Sequence, residues 1–302
     1  MQTPEITPKS WAMVLALGLV WGATFMFIDI ALEGITPYWL AAGRIGFATV
    51  LTVAVWLWMG GRLFLTEERA WGAMLNVGLL STAVPFMLLS WGLQYVTSGF
   101  AGVSMATVAL MVLPLAHFLV PGEQMTLRRL IGFLIGFVGV AVLIGPEALA
   151  PSGSALEPFG RLACVAAASC YAISSVTMRR MPAVDPIGLS AVPLIIGSAL
   201  VIPVAFVMEG PPPLPDRDTL IVVAVLGLLP TAGANLLRVL VIRSAGPVFM
   251  SLTNYQVPLW SVFLGVLVLG EPLRASLLVA LVLILAGVFL SQWGALKRLF
   301  GR

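Results

Sequence analysis

The chain has few charged residues for its length. Of its 302 residues, 10% are Asp, Glu, Lys or Arg, whereas 60% are hydrophobic. A soluble domain carries roughly 25% charged residues, because its surface must face water. A chain this apolar cannot surround its core with a polar surface, so the sequence predicts an integral membrane protein with lipid as its solvent.

Histidine and cysteine are also scarce, which excludes several kinds of site. His117 is the only histidine, and the two cysteines, Cys164 and Cys170, lie in one apolar segment. These residues have neither the spacing of metal ligands nor the number needed for a disulfide framework. The net charge is only +3, and no basic helix face is present. We therefore expect no metal, no cofactor and no nucleic-acid partner.

Long apolar segments are what the sequence has instead. A helix needs about 20 apolar residues to cross the hydrocarbon core of a bilayer. The first segment is too long for a signal peptide and lacks a cleavage site, so we expect it to remain as a span. Short gaps rich in Gly and Pro separate the segments, so consecutive helices must be antiparallel neighbours. The predicted spans cover residues 11–32, 37–59, 70–94, 98–120, 128–146, 158–178, 185–208, 218–242, 246–269 and 274–293.

The positive charges predict an orientation for these ten spans. Cytoplasmic loops of membrane proteins are enriched in Lys and Arg. If the N-terminus is cytoplasmic, eleven of the sixteen Lys and Arg residues fall on the cytoplasmic side. Arg217 and Arg274 fall on the opposite side, and three arginines lie within spans. We therefore predict a multi-pass protein with both termini in the cytoplasm.

The two halves of the chain share sequence features at a nearly constant offset. Glu123 follows a glycine at the end of the fourth span, and Glu271 does so at the end of the ninth, 148 residues later. The segment GLLSTA from Gly78 also matches GLLPTA from Gly227. Matches within one narrow range of offsets indicate an internal repeat.

The repeat predicts an all-α fold in which two five-helix units surround a central cavity. We place the first unit at residues 1–147 and the second at residues 148–302. Because five is an odd number, the second unit must enter the membrane from the opposite side. Such inverted-topology repeats are typical of carriers that expose a site alternately to the two sides of a membrane.

Three segments resemble a known family. They are LVWGATFMFIDIALEGITPYWLAAGRIGFATV near the start, PLAHFLVPGEQMTLRRLIGFLIGFVGVAVLIG, and VPLWSVFLGVLVLGEPLRASLLVALVLILAGVF. The chain is similar to proteins with two EamA domains, in the drug/metabolite transporter superfamily. This resemblance implies a ten-helix basket with a central substrate cavity, located in a bacterial inner membrane. It also implies export of amino acids or related metabolites, and the aromatic and neutral amino-acid exporters are the first branch to compare.

Polar side chains within the spans are the candidate substrate contacts, because polar groups in hydrocarbon should face an interior or a water-filled path. They recur at helical spacings of three and four residues, although close helix packing would use similar residues. The candidate substrate-binding residues are Trp21, Asn76, Met87, Ser90, Ser104, Thr107, Tyr171, Ser174, Asn235, Arg238, Ser251, Asn254, Tyr255 and Ser261.

Two arginines within the spans have alternative interpretations. Arg238 either attracts a substrate carboxylate, which a guanidinium matches with two donors, or extends to the cytoplasmic surface, and we favour the latter. For Arg44 we expect a structural ion pair with Asp29 or Glu33.

The two repeated glutamates, Glu123 and Glu271, are expected to accept hydrogen bonds from loop or helix-end N–H groups rather than to touch substrate.

The sequence predicts a secondary transporter rather than an enzyme. With no carboxylate at mid-depth, a neutral or zwitterionic solute such as an amino acid suits the cavity best, because an unpaired charge is costly there. One alternative is efflux of drugs or lipophilic cations, which requires a membrane carboxylate. Another is a lipid enzyme or scramblase, and an enzyme of this kind requires clustered Asp, His or metal. The expected partners are a small-molecule substrate and the lipid bilayer; the sequence leaves the oligomeric state open.

Overall fold

The protein is described by a computed structural model over residues 7–144 and 155–300, and these ranges are almost entirely helical. We number ten long helices in chain order. They are α1 (Pro8–Leu32), α2 (Pro37–Trp58), α3 (Trp71–Gly92), α4 (Ser98–Leu119), α5 (Leu127–Ile144), α6 (Glu157–Arg180), α7 (Gly188–Glu209), α8 (217–245), α9 (Thr253–Leu269) and α10 (Ala275–Phe300). A four-residue helix, Pro247–Met250, precedes α9.

Each of the ten predicted spans corresponds to one of these helices. Eight of them are long and apolar enough to cross a membrane. Helix α9 is apolar but has only 17 residues, and α5 has 18. The prediction that the ninth span starts at residue 246 is wrong, because Gly246 has φ +88° and ends α8. Only glycine adopts this conformation readily, so the helix cannot continue through it.

Side chains that accept backbone N–H groups fix the start of three helices. Thr7 forms a capping box with Ser10 at the start of α1. Thr97 accepts the N–H of Phe100 at the start of α4. Asp216 accepts the N–H of Thr219 at the start of α8, at 2.7 Å, and this bond lowers the pKa of the Asp216 carboxyl below its usual value. Each acceptor satisfies an N–H that has no partner within the helix.

Helices α3 and α8 each contain a π-helical segment in the repeated sequence motif. The segments are Leu79–Ala83 and Gly227–Gly233. In each, a threonine hydroxyl donates to a carbonyl of the preceding turn, from Thr82 to Gly78 and from Thr231 to Leu226. Short π segments inside α-helices are frequent at functional sites. The two halves therefore share an unusual backbone feature as well as a sequence motif.

The packing between helices is preserved when the first unit (α1–α5) is exchanged with the second (α6–α10). Helix α1 packs on α9, and the equivalent α6 packs on α4. Helix α3 packs on α6, and α8 packs on α1; α2 contacts the π segment of α8, and α7 contacts that of α3. Equivalent helices also pair with each other, α2 with α7, α4 with α9 and α5 with α10. The expected boundary between residues 147 and 148 lies outside the described residues.

The contact between α5 and α10 is made by small residues. A Cβ atom added to Gly287 would lie 2.5 Å from the carbonyl oxygen of Gly132 and 2.6 Å from the backbone nitrogen of Gly136. Gly132 in turn faces Ser291. Glycines four residues apart let two helix backbones approach closely, which is how helices associate in a bilayer without a hydrophobic driving force between them.

The two units are tied together at the start of α2. The carboxylate of Glu209, at the end of α7, accepts the N–H groups of Tyr38 and Trp39, both at 3.1 Å. It also accepts the Thr36 hydroxyl at 2.6 Å. A carboxylate is favoured here because unpaired N–H groups and the helix dipole give the start of a helix a partial positive charge.

The opposite end of α2 is tied to the second unit by backbone atoms. Phe64, after α2, forms an antiparallel bridge with Val184, before α7. The Leu65 N–H donates to Ala183 at 3.0 Å, and the Asp185 N–H donates to Leu63 at 2.8 Å. Helix α7 is the counterpart of α2 in the second unit, but its start is capped within its own loop. The Asp185 carboxylate accepts the N–H groups of Ile187 and Gly188.

Candidate functional site

Arg44 of α2 is buried between the two units. Its side chain is only 6% exposed, and its Nε donates to the Thr231 hydroxyl at 2.8 Å. The guanidinium carbon lies 3.9 Å from the centroid of the Phe86 ring. The predicted ion pair of Arg44 with Asp29 or Glu33 is therefore wrong. Helix α2 packs on α7 and on the π segment of α8 and touches α1 little, so Arg44 faces α8 instead.

The guanidinium of Arg44 has no carboxylate partner among the described residues. No described Asp or Glu oxygen lies within 4.0 Å of it, and its two terminal nitrogens make no hydrogen bond to these residues. A charge removed from water normally requires a partner of opposite sign. The Phe86 ring face offsets part of this cost through its quadrupole. A positive charge with no carboxylate partner among the described residues is therefore buried between the two units.

Aromatic and hydroxyl groups of both units surround this charge. Tyr171 of α6 lies within electrostatic reach of Arg44, and no hydrogen bond of its hydroxyl is made with the described residues. Ser174, one turn further along α6, is fully buried and its hydroxyl also has no partner there. Trp21 of α1 donates from its indole nitrogen to the Pro230 carbonyl at 3.0 Å. Tyr171 thus lies near Arg44, and Trp21 contacts the π segment that holds it.

Asn235 and Arg238 extend the same face of α8. Asn235 donates to the Thr231 carbonyl at 2.7 Å. Arg238 is half-buried and has no hydrogen bond or ion pair with the described residues. It lies seven residues from Thr231, or about 10 Å along the axis at the usual helix rise. A second guanidinium therefore lies on this face of α8, about two turns beyond the residue that binds Arg44.

The predicted residues of α9 do not share one surface. Asn254 is exposed, whereas Ser261 is buried against Gly102 of α4 and donates to the Pro258 carbonyl at 3.1 Å. Ser251 is half-buried and donates to Gln292 of α10. Helix α9 packs closely on α1 and α4, so part of its polar stripe serves helix contact.

The predicted residues of α3 and α4 are mostly packed. Ser104 and Thr107 are fully buried and donate to carbonyls of their own helix. Ser90 is buried, and Met87 packs half-buried beside Phe86 in the cluster that α2, α3 and α7 form.

Asn76 of α3 accepts the hydroxyl of Thr177 of α6 at 3.0 Å, which ties these two helices together. The hydroxyls of Ser104 and Thr107 and the amide oxygen of Asn76 therefore have hydrogen-bond partners within the chain.

An open apolar groove of about 610 Å³ lies between α1, α9 and α10, away from Arg44. Two of its lining residues each have an enclosed polar atom without a partner among the described residues, the Tyr255 hydroxyl and the Gln256 Oε1. Tyr255 is the only predicted site residue that lines it. The lining residues are Trp11, Leu252, Tyr255, Gln256, Phe289, Trp293, Leu296 and Lys297.

The two repeated glutamates have different partners. Glu271 accepts the N–H groups of Ser98 at 2.5 Å and Gly99 at 3.1 Å, which confirms the expectation of a helix-end contact. The same expectation for Glu123 is wrong, because its carboxylate pairs with Arg129 at 3.0 Å and with Arg179 at 3.2 Å. The nearby arginine side chains provide stronger, charge-assisted donors.

Comparison with known proteins agrees with this architecture. The model of the EamA-like transporter family matches residues 9–145 and again residues 158–293. "Uncharacterized transporter YoaV" of Bacillus subtilis is 24% identical over 288 residues, which cover 94% of this chain and 97% of the relative. "Uncharacterized inner membrane transporter YedA" of Escherichia coli K12 is 26% identical over 297 residues, which cover 97% and 94%.

A solved structure described as "Crystal structure of protein" has the same fold. Its TM-score is 0.66 at 21% sequence identity, and the match covers 95% of this chain and 98% of that one. Two family matches in tandem account for most of the sequence, and the described helices are long and apolar enough to span a bilayer. The chain therefore belongs to the EamA-like transporter family and is a multi-pass membrane transporter.

Proposed function

We propose that the protein is a secondary transporter that exports small neutral or zwitterionic metabolites, foremost amino acids, across the inner membrane by alternating access. The observation that carries the proposal is the exchange relationship between the two units. The larger contacts between the units recur when the units are exchanged, as α1 on α9 corresponds to α6 on α4 and α3 on α6 corresponds to α8 on α1. A pair of interchangeable units gives two equivalent states, in which each unit takes the conformation its partner has left.

Inverted topology follows from this proposal and from the helix count. Each unit has five long helices, so successive units enter the bilayer from opposite sides. The excess of Lys and Arg in alternate loops then places both termini in the cytoplasm.

The contacts between the units at the two ends of α2 are the ones that we expect to open and close in turn during transport. Glu209 of the second unit holds the start of α2, and Val184 of the second unit pairs with Phe64 beyond its end. In alternating access one tie opens while the other stays closed. Both ties connect different units, so each can report relative movement of the two halves.

The surroundings of Tyr171 support a neutral or zwitterionic solute. Among the described residues they include aromatic faces, the Tyr171 hydroxyl and the guanidinium of Arg44. Lipophilic-cation efflux is not favoured, because such a solute would meet a buried guanidinium rather than a carboxylate. Nor is a metal-dependent lipid enzyme, since no three described His, Cys, Asp or Glu side chains are grouped to hold an ion.

Flux through the purified protein tests this proposal. Full-length protein is reconstituted in liposomes loaded with unlabelled amino acids, and uptake of each radiolabelled amino acid by exchange is measured. We expect saturable, protein-dependent exchange for a subset of neutral amino acids. If no amino acid of the panel is exchanged, the amino-acid assignment is rejected. Lipid scrambling is measured in the same vesicles, so that movement of lipid without movement of amino acids is detected.

A further inference from the structure

We infer that Arg44 binds the carboxylate of the transported solute, with Thr231 and Phe86 holding the guanidinium in position for it. This inference rests on the proposed transport function and names the chemical group that the site recognises. It replaces the structural ion pair that the sequence suggested for this residue.

The first argument is the geometry of the guanidinium. Arg44 is more than nine-tenths buried, and only its Nε has a partner, the Thr231 hydroxyl. The two terminal nitrogens make no hydrogen bond with the described residues, yet they are not among the fully enclosed atoms that lack a partner. They therefore retain some accessible surface. An arginine whose terminal nitrogens are available can bind a carboxylate through two parallel N–H donors.

The second argument is a comparison with another buried arginine of the same chain. Arg161 of α6 is 5% exposed, almost the same as Arg44, but its Nη2 lies 2.5 Å from the Glu157 carboxylate. The chain thus supplies a carboxylate to a buried arginine whose role is structural. Arg44 receives only a hydroxyl and a ring face, neither of which carries a negative charge. The missing charge is therefore expected to come from the solute.

The third argument is the location of Arg44. It is a residue of the first unit that binds the π segment of the second unit, in the repeated motif. Tyr171 of α6, which packs against the cluster containing Phe86, supplies a further hydroxyl group without a partner among the described residues. A carboxylate bound here would contact both units at once. The ligand class is a small carboxylate whose remaining part packs on aromatic surface.

Matched acids and amides test this inference without a variant. The full-length protein in detergent is titrated with neutral L-amino acids, with their 2-oxo acids and with their amides, and the thermal unfolding midpoint is measured. We expect acids and 2-oxo acids to raise the midpoint and the matching amides to leave it unchanged. Equal shifts from an acid and its amide, or no shift from any acid, would overturn the inference.

Variants then assign the effect to Arg44. In Arg44→Gln, the dissociation constant for the acids should rise about 10- to 100-fold, as is usual when a charged hydrogen bond is lost. Arg44→Lys should recover part of the affinity, because the charge remains but the two-pronged donor does not. Arg217→Gln, at an exposed position on α8, is the matched control and should bind as the wild type. Unchanged affinity in Arg44→Gln would reject the assignment.

The outcomes separate this inference from the proposed function. Carboxylate-dependent binding without any flux would contradict transport and support the Arg44 site. Flux of amino acids and their amides at equal rates would support transport and reject the Arg44 site.

Discussion

The indole nitrogen of Trp21 donates a hydrogen bond to the carbonyl oxygen of Pro230, across the boundary between the two units. Pro230 lies in the π segment of α8, where the backbone departs from regular helical geometry. The bond therefore connects a side chain of the first unit to the segment that also holds Arg44. Movement of one unit against the other would therefore act through this segment on the proposed solute site at Arg44.

Replacing Trp21 by Phe should weaken this connection while keeping an aromatic ring. Loss of one hydrogen bond costs about 1 kcal/mol and leaves the Pro230 carbonyl short of a partner. We expect a lower thermal unfolding midpoint in detergent and slower amino-acid exchange in liposomes. Trp58→Phe is the control, because Trp58 is 87% exposed. Equal midpoints for the two variants would contradict the role given to the bond.

A disulfide between positions 64 and 184 should block transport reversibly. The flanking hydrogen bonds make Phe64 and Val184 a non-hydrogen-bonded antiparallel pair, whose Cα atoms lie about 4.5 Å apart in regular sheets. That separation suits a disulfide. In a background with Cys164→Ala and Cys170→Ala, we expect oxidation of the Phe64→Cys/Val184→Cys double variant to stop exchange and reduction to restore it.

Each single-cysteine variant is the control for this experiment, since neither can form the intramolecular bond. Full exchange activity of the oxidised double variant, with the disulfide verified by mass spectrometry, would show that this tie does not open during transport.

Adding one methyl group at Gly287 should destabilise the protein. A Cβ at this position meets the backbones of Gly132 and Gly136, which cannot move aside as a flexible side chain would. Overpacking of this kind costs typically about 1–3 kcal/mol. We expect Gly287→Ala to lower the unfolding midpoint, whereas Gly46→Ala, where no atom lies within 4 Å of the added Cβ, should not. A midpoint equal to wild type for Gly287→Ala would show that α5 and α10 separate easily.

Glu209→Ala should loosen the start of α2. The substitution removes the acceptor of the Tyr38 and Trp39 N–H groups and the favourable interaction with the helix dipole. We expect faster amide hydrogen exchange in the first turn of α2, measured by mass spectrometry. Glu67→Ala, at an exposed loop position, should leave this turn unchanged. Unaltered exchange in both variants would mean that solvent or another group caps the helix equally well.

Hydrophobic segments and turn residues were sufficient to predict the ten helices. The sequence also predicted that Glu271 would accept N–H groups of a loop or helix end, whereas the same prediction failed for Glu123, where two arginines lie nearby. It could not predict the partner of Arg44, since that depends on whether α2 packs on α1 or on α8. Consecutive helices touch little here, and helices of different units form the larger contacts.

The same dependence on packing explains the polar stripes. Asn254 and Ser261 lie seven residues apart on α9, a spacing that predicts a common face, but α4 covers only Ser261. Helical spacing specifies the face of the helix on which a residue lies. It does not specify which part of that face is covered by a neighbouring helix. The π segments were also invisible to hydrophobic periodicity, although the repeated GLLSTA and GLLPTA motifs marked their location.

The two units differ in whether the acceptors for their helix-start N–H groups come from the other unit. Helices α2 and α4 of the first unit both begin on carboxylates from the second unit, Glu209 and Glu271. Helix α7 begins on Asp185 of its own loop. If the gene were cut between its repeats, the N-terminal product would lack the acceptors of the Tyr38, Trp39, Ser98 and Gly99 N–H groups until the second product bound. Assembly from separate pieces would therefore make the N-terminal product the dependent partner.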